Sequence, residues 1–185
     1  MYEIYETEAF ILELKNIKDY DQKIFVFTKD FGFLWLNVSG SRREKSKQKS
    51  FIQLLSYSKI FLVKGKNGYR ITGGELLENL FFSFENKMKN KIFLNFLFLV
   101  RKFLVYEVES KKVFQLLVKL KNELKKTQNL ENIEKVEIFF IIKFLDEIGY
   151  WDGEDVSLEN FLEFDKNKIR EKILKINKIL RKSFL

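Results

Sequence analysis

The sequence predicts an α+β protein in which a five-stranded β-barrel comes first and an α-helical domain follows. Up to about residue 79, short segments rich in β-favouring residues alternate with turn signals. Beyond Leu80, apolar residues recur at the three-and-four spacing of helices. With 185 residues, of which 46% are apolar, the chain is long enough to bury a core. We therefore expect a barrel domain over residues 1–79 and a helical domain over residues 80–185.

Five strands are predicted in the first domain. They cover Tyr5–Leu14, Gln22–Thr28, Phe33–Val38, Phe51–Val63 and Tyr69–Leu77. Gly32 favours a turn between the second and third strands because glycine accepts a positive φ, and the Asn67-Gly68 step favours a hairpin before the fifth. Trp35 lies in the middle of the third strand and is expected in the core. A tight hairpin followed by a long loop suits a small barrel of the OB type.

Four helices are predicted in the second domain. They cover about Lys91–Tyr106, Lys111–Lys126, Asn132–Ile148 and Asp165–Lys182. Gly149 is placed to end the third of these helices as its C′ residue. Trp151 follows in a loop region, so we expect its side chain to be exposed.

The loop between the third and fourth strands is the main candidate site. Residues 41–49 hold five cations against one acid, Glu44. The cations are Arg42, Arg43, Lys45, Lys47 and Lys49. Clustered cations bind a nucleic-acid backbone by releasing condensed counterions, and arginine suits bidentate phosphate contacts. The plainer interpretation is a solvated loop, but the arginine pair beside an OB-type barrel favours contact with a polynucleotide.

Other side chains are weaker candidates for the same surface. Lys23, Lys66 and Arg70 would extend it if they share its face, and otherwise they are isolated surface cations. Base stacking is possible for three tyrosines, against ordinary packing in the core or at its rim: Tyr20, Tyr57 and Tyr69.

The last helix is the second basic region, because residues 165–185 hold eight cations and two acids. Four of its lysines lie largely off the apolar stripe: Lys168, Lys172, Lys175 and Lys182. They would contact DNA or an acidic protein segment, or they are only solvated. The chain has no proline and a single alanine, as AT-rich codon usage produces, so the placement of lysines is more informative than their number.

Composition excludes several classes of function. The chain has no cysteine and no histidine, which removes thiol nucleophiles, disulfides, imidazole bases and Cys/His zinc sites. The acidic group Asp152, Glu154 and Asp155 is the best candidate for a divalent cation, but acidic surface loops are far commoner than metal sites. We expect no enzyme, no cofactor and no metal.

The sequence also predicts where the protein acts. The longest apolar runs, such as Phe96–Val100, are far shorter than the roughly 20 residues that span a bilayer. The first ten residues carry three glutamates where a signal peptide needs a basic start. We expect a cytoplasmic protein without a membrane partner.

Seven segments along the chain carry a resemblance to a known family. In order, they are Thr7–Leu12, Tyr20 with Lys23–Thr28, Phe31-Gly32, Val38–Arg43 with Lys45-Ser46, Tyr69–Thr72 with Glu75–Glu78, Phe144–Tyr150, and Arg181–Leu185. Their order resembles the RecO family of bacterial recombination mediators. The segment from Val38 looks like the family's Gly-x-Arg-Arg loop. Many members have a four-cysteine zinc module after the Gly-Tyr segment, whereas Trp151–Lys166 is short, acidic and free of cysteine.

This resemblance implies an OB domain and a shortened helical domain that bind single- and double-stranded DNA, anneal complementary strands and help to load a recombinase. It also implies contacts with RecR and with the acidic C-terminal tail of single-stranded DNA-binding protein, at the nucleoid. Two alternatives remain open. One is a protein-interaction adaptor with little DNA affinity. The other is an RNA-binding OB protein, because contacts with phosphates do not distinguish ribose from deoxyribose.

Overall fold

A computed structural model describes residues 3–17, 19–66, 68–84 and 86–183. Asn67 of the predicted hairpin step and residues 184–185 of the terminal motif lie outside the described residues. The chain divides into two compact units, residues 1–85 with 101–114 and residues 86–100 with 115–185. The predicted fold class is confirmed, since an N-terminal five-stranded barrel precedes the helices. The predicted domain boundary after residue 79 stays a prediction.

The first unit contains a closed barrel with the strand order β1-β2-β3-β5-β4. Its strands are β1 (Ile4–Asn16), β2 (Gln22–Thr28), β3 (Gly32–Val38), β4 (Ser56–Gly65) and β5 (Gly68–Asn79). The pairings are antiparallel except for that of β3 with β5, which is parallel and joins Asn37 to Arg70. The predicted bounds of β2 are confirmed.

Alternate side chains of each strand fill the barrel interior, because successive residues of a strand point to opposite faces. Its buried members are Ala9, Ile11, Ile24, Val26, Leu34, Leu36, Val38, Phe51, Ile52, Ile60, Leu62 and Ile71. The predicted start of the fourth strand at Phe51 is wrong. Phe51 and Ile52 reach the core from a turn, and Leu55 has a positive φ of 59°, which ends any extended run before Ser56.

The outer face of β2 and β3 is aromatic, and residues 101–114 cover most of it. Phe25, Phe27 and Phe33 alternate with inward-facing residues and are nevertheless fully buried. The ring of Tyr106 lies 5.6 Å from that of Phe25, and the ring of Phe114 lies 5.7 Å from that of Phe27. The first unit therefore has a second apolar layer outside the barrel.

Close backbone approach secures this layer to the turn between β2 and β3. The amide of Glu107 donates to the carbonyl oxygen of Phe33 at 3.1 Å. Gly32 has a φ of +65°, and a Cβ there would overlap the carbonyl oxygen of Val108. Glycine is therefore required at this turn by both its conformation and its neighbour.

Six helices follow the barrel in the described residues. They are α1 (Leu80–Ser83), α2 (Lys87–Phe103), α3 (Lys111–Lys126), α4 (Leu130–Glu147), α5 (Leu158–Leu162) and α6 (Lys166–Ser183). The bounds of α3 agree with the prediction, whereas α1 and α5 were not predicted. Gly149 follows the end of α4 with a φ of +78°, as expected of a C′ glycine. None of the described helices is long and apolar enough to cross a bilayer.

The second unit has a core of aromatic and aliphatic side chains. The rings of Phe96 and Phe144 meet edge to face at 5.8 Å, and those of Phe139 and Phe161 at 5.5 Å. Lys135 is buried, and its ammonium group donates to the carbonyl oxygen of Leu162 at 2.9 Å. This bond fixes the end of α5 to α4.

Candidate nucleic-acid interface

The basic loop, residues 39–50, is attached at its start to the segment that leads into β2. The amide of Gly40 donates to Asp21 Oδ1 at 2.8 Å, and the amide of Arg42 donates to the carbonyl oxygen of Tyr20 at 3.1 Å. Ser41 is buried, and its hydroxyl donates to Gln22 Oε1 at 2.8 Å. Gly40 has a φ of +68°, which suits glycine at this reversal. The direction of the loop is therefore set before its cations begin.

The second half of the basic loop is a short 3-10 turn, Lys47–Ser50. Its start is capped by Ser46, whose hydroxyl accepts from the amide of Gln48, and its end is held by the Ser50 hydroxyl, which donates to the Lys47 carbonyl at 2.7 Å. The chain then enters the barrel core at Phe51. Because both ends are anchored, little backbone entropy remains to be lost when a ligand binds.

All five cations of the basic loop are exposed. Within the described residues, Lys45, Lys47 and Lys49 form no ion pair. The guanidinium of Arg43 lies 5.6 Å from the ring centroid of Tyr20, within cation–π range. At these three lysines the described residues thus present positive charge without an ion-pair partner on a fixed backbone, which is the arrangement that releases counterions from a phosphate chain.

The three tyrosines predicted as stacking candidates have different surroundings. Tyr20 is 54% exposed and lies beside the basic loop. Tyr57 is buried, stacks on Phe10 at 4.8 Å and donates its hydroxyl to the carboxylate of Glu8, so stacking on a base is the wrong interpretation for it. Burial, followed by this hydrogen bond, raises the pKa of Tyr57 above its ordinary value. Tyr69 is half-buried against Phe31, which leaves Tyr20 as the accessible tyrosine of the three.

Two of the weaker basic candidates share one level of the barrel. Lys23 pairs in register with Asn37, and Asn37 pairs with Arg70. On the other side of β2, Lys23 pairs with Lys15, a cation that the sequence did not single out. This row of polar side chains crosses four strands one residue pair below the basic loop. We call Lys15, Lys23, Asn37 and Arg70 the polar row.

Lys66 has no pairing in register with this row. It lies in the turn between β4 and β5, close in sequence to Tyr69, whose ring contacts Phe31 at 5.5 Å. Phe31 belongs to the turn between β2 and β3, and that turn is at the opposite end of β3 from the basic loop. Lys66 is exposed, and its part in the basic surface stays a prediction.

A groove of about 580 Å³ lies beside α6 in the second unit. It is lined by Gly149, Tyr150, Trp151, Asp152, Leu174, Lys175, Lys178, Ile179 and Lys182. Of the four predicted α6 lysines, Lys175 and Lys182 line this α6 groove, whereas Lys168 lies over the ring of Phe164 at 5.3 Å. Lys178 was not predicted. Exposed Leu174, at 63%, adds an apolar side to the basic one.

The prediction that Trp151 is exposed is wrong. Its side chain is buried, and the ammonium groups of Lys175 and Lys172 lie 4.5 and 5.9 Å from its ring centroid. Its indole Nε1 is buried without a hydrogen-bond partner in the described residues. Sequence reasoning missed this because the lysines that cover the ring lie more than 20 positions away.

The acidic residues considered for a metal are held by lysines. Asp152 pairs with Lys175, and Asp155 pairs with Lys143. The hydrogen bond from Lys175 holds the pKa of Asp152 below its usual range. Both carboxylates are therefore already paired with a lysine ammonium group.

Comparison with known protein families matches residues 1–80 to the family described as Recombination protein O N terminal. The protein called DNA repair protein RecO in Caldanaerobacter subterraneus is 32% identical over 85 residues, which are 46% of this chain and 33% of the relative. The protein of that name in Acetivibrio thermocellus is 30% identical over 76 residues, 41% of this chain and 30% of the relative.

These matches confirm the resemblance to the RecO family, and the family match covers residues 1–80 of the chain. The aligned segment spans about a third of the length of these two curated relatives. The similarity of Phe144–Tyr150 and of residues 181–185 to the family lies beyond the matched region and stays a prediction.

Proposed function

We propose, on the premise of a RecO-type N-terminal barrel, that this protein is a DNA-binding recombination mediator in DNA repair. It binds single- and double-stranded DNA, promotes annealing of complementary strands and assists loading of a recombinase. The observation that carries the proposal is the basic loop, whose exposed cations project from a backbone anchored at Gly40 and Phe51. Its place of action is the cytoplasmic nucleoid.

The mechanism is electrostatic and needs no catalytic group. Two DNA strands repel each other through their phosphates, and cations bound to one backbone lower the repulsion felt by the second. The loop contacts phosphates without reading base edges, so it accepts any sequence, as a general repair protein requires. Tyr20 beside Arg43 adds a ring on which an unpaired base can stack.

The test is fluorescence anisotropy of labelled single-stranded and double-stranded oligonucleotides over a salt series. We expect binding at low salt that weakens steeply and linearly on a plot of log affinity against log salt concentration. Absence of binding to either DNA at low salt would overturn the proposal. A second assay, annealing of complementary labelled strands, separates binding alone from the mediator activity.

For partners, we propose RecR and the acidic tail of single-stranded DNA-binding protein. The α6 groove supports the second of these, because it combines three lysines with the apolar side chains of Leu174 and Ile179. An acidic peptide with an apolar end matches both features. Titration of a labelled acidic peptide ending in phenylalanine tests this partner, with the same residues in scrambled order as the control.

The α6 groove also favours the second candidate function, a protein-interaction adaptor with little DNA affinity. The two candidates differ in a simple readout. An adaptor binds the acidic peptide but neither DNA, whereas a mediator binds both kinds of ligand.

RNA binding is separated from DNA binding by competition. Unlabelled RNA and DNA of one sequence should compete equally for the basic loop if only phosphates matter. A clear preference for RNA would replace the repair assignment by an RNA-binding one.

A further inference from the structure

Large apolar side chains are exposed where β5 ends and α1 begins. Leu76 and Leu77 are exposed at the end of β5, and the two rings of α1 are more exposed still, Phe81 at 60% and Phe82 at 77%. These two rings meet edge to face at 5.3 Å. Single exposed apolar residues are normal on a protein surface, but a cluster in one short segment marks an interaction surface.

A β-bulge near the end of β5 leaves Leu77 out of the regular ladder. The register shifts between Tyr57 and Ser58 of β4, which pair with Glu78 and Leu76. Leu77 is therefore the extra residue of the bulge. An extra residue of this kind departs from the alternation of the strand, so its side chain is re-aimed.

The two phenylalanines of α1 follow an anchored backbone. The amide of Leu80 donates to the carbonyl oxygen of Leu55 at 3.1 Å, and the Leu80 side chain is fully buried. The side chain of Asn79 caps α1 by accepting a hydrogen bond from the amide of Phe81. Because this backbone is already fixed, docking of the exposed rings on a partner costs less conformational entropy.

Acidic side chains flank the exposed apolar ones. Glu75 precedes the two leucines and Glu78 follows them, and Glu75 is exposed and forms no ion pair within the described residues. Glu75 and Leu77 line one groove of about 330 Å³. Carboxylates outnumber ammonium groups in its lining, with Glu6, Glu8, Asp30 and Glu75 against Lys29 and Lys59. We call the following residues the β5–α1 patch: Glu75, Leu76, Leu77, Glu78, Phe81 and Phe82.

The α6 groove has the complementary composition. It combines three lysines with the apolar side chains of Leu174 and Ile179. Lys178 is exposed and, within the described residues, forms no ion pair. The ligand that suits such a groove is an acidic segment with apolar side chains, and the β5–α1 patch is such a segment.

We propose that the protein associates head to tail, with the β5–α1 patch of one copy docked on the α6 groove of a second copy. Leu77 and Phe82 pack against Leu174, and Glu75 pairs with Lys178. The interface joins two different surfaces, so a dimer keeps one free patch and one free groove and can grow further. Its charges make it weaken with salt, and an interface built from a few side chains is transient.

This inference goes beyond the proposed function and requires no DNA. It uses the groove proposed above for an acidic tail, so that peptide and a second copy of the chain compete for one site. Self-association thereby limits access of the acidic tail to the α6 groove.

The first test is sedimentation of the full chain without DNA or peptide, at low salt and at concentrations up to about 1 mM, the dissociation constant of a very weak complex. We expect the weight-average mass to rise with concentration above that of the monomer and to return to it at high salt. A monomer at every concentration would overturn the proposal.

Two variants test whether association is head to tail. The patch variant carries Glu75→Gln and Phe82→Ser, and the groove variant carries Leu174→Ser and Lys178→Gln. All four side chains are exposed, so both variants should keep the unfolding temperature of the unmodified protein. Each variant alone should stay monomeric, because one of its two surfaces is lost. Their equimolar mixture should form a dimer and nothing larger, since the intact groove of the first accepts the intact patch of the second.

A matched control changes an exposed leucine and an exposed glutamate of α4, as Leu130→Ser with Glu134→Gln. This control should associate like the unmodified protein. Undiminished association of the patch variant or the groove variant alone would overturn the assignment of these surfaces. A mixture that stays monomeric while the unmodified protein associates would overturn head-to-tail docking.

DNA anisotropy of the same samples separates this inference from the proposed function. Salt-dependent DNA binding by a protein that stays monomeric overturns head-to-tail association alone. Association that follows the variants as expected, in a protein that binds no DNA, supports the interface and overturns the DNA-binding proposal instead.

Discussion

The basic loop and the α6 groove are the two places where the sequence concentrates cations, and their lysines have different neighbours. In the loop, Lys45, Lys47 and Lys49 are exposed, and within the described residues they form no ion pair. In the α6 groove, Lys175 pairs with Asp152 and lies 4.5 Å from the ring centroid of Trp151. The two basic surfaces therefore differ more in the neighbours of their cations than in the presence of cations.

We therefore expect the first surface to favour phosphate backbones and the second to favour acidic peptides. A polyanion of regular spacing gains most from several cations that have no counterion of their own. A peptide gains from fewer charges combined with an apolar contact, and the groove supplies this at Leu174 and Ile179. The following changes test whether the two surfaces are separate in function, in order of decreasing effect.

Replacing all five loop cations by alanine should have the largest effect. We expect the affinity for single-stranded DNA at low salt to fall at least about 100-fold and the salt slope to flatten by up to about 3.5, because each lost phosphate contact removes about 0.7. The residues are Arg42, Arg43, Lys45, Lys47 and Lys49. Anisotropy over a salt series measures both quantities, and thermal unfolding should be unchanged because these side chains are exposed.

A control of equal charge replaces five exposed cations of α2 and α3. They are Lys87, Lys91, Lys119, Lys125 and Lys126. This control should lose far less DNA affinity, since its cations are dispersed over two helices. Equal losses in both variants would mean that net charge alone governs binding, and the basic loop would then have no special role.

Removing the groove lysines should weaken peptide binding and spare DNA binding. Lys175, Lys178 and Lys182 changed together to alanine should reduce the affinity for an acidic peptide by about tenfold, since exposed ion pairs contribute modestly. DNA affinity should change by less than about threefold. The matched control changes Lys166, Lys168 and Arg170, on the same helix but outside the groove lining. A larger loss for DNA than for the peptide would assign α6 to DNA.

The sequence predicted the barrel well because alternation is a local signal. The bounds of β2 follow from its pattern and from the turn residues on either side. The segment from Phe51 to Leu55 looks like a strand for the same reason, yet it is a turn whose apolar side chains enter the barrel from its end. Composition alone cannot distinguish these two ways of burying a side chain.

Exposure of single aromatic residues could not be predicted, because distant segments decide it. Trp151 is covered by lysines of α6, and Tyr57 is enclosed by Phe10 and by Phe114, a residue far along the chain. Conversely, Trp35 lies beyond the reach of the segment that buries Phe25. The basic loop was predictable because its charge is local, whereas the polar row required the register of four strands.

Removing the hydrogen bond that anchors the basic loop should weaken DNA binding less than removing the cations of the loop. Asp21→Ala removes the acceptor of the Gly40 amide, so the free loop becomes more mobile and loses more entropy on binding. Asp19→Ala removes the same charge from a nearby exposed position and serves as the control. We expect the Asp21 variant to bind single-stranded DNA about threefold more weakly than the control, with an equal salt slope. Equal affinities would show that the loop needs no preset shape.

The smallest expected effect comes from removing the Asp152–Lys175 ion pair. This pair gives a lysine of the α6 groove a counterion, which Lys45, Lys47 and Lys49 of the basic loop lack within the described residues. The hydrogen bond from Lys175 holds the pKa of Asp152 below its ordinary value in the folded protein. Stabilisation by the pair is therefore fully present above the unfolded-state pKa of about 3.9, and it is lost as the pH falls through the lowered folded-state pKa. Asp152→Asn has no such carboxylate, so its urea midpoint should fall slightly less than that of the unmodified protein between pH 5 and pH 3.

The Asp152 side chain is 88% exposed and that of Lys175 is 37% exposed, so this difference should be small and should shrink further in high salt. The variant also leaves Lys175 without its counterion, which should raise the affinity for an acidic peptide by about twofold while DNA affinity stays constant. Such a result would show that a groove lysine without a counterion, like the loop lysines, strengthens peptide binding but does not make the groove a DNA site. A matching rise in DNA affinity would mean that a free cation is sufficient, and the shape of the anchored loop would then be irrelevant.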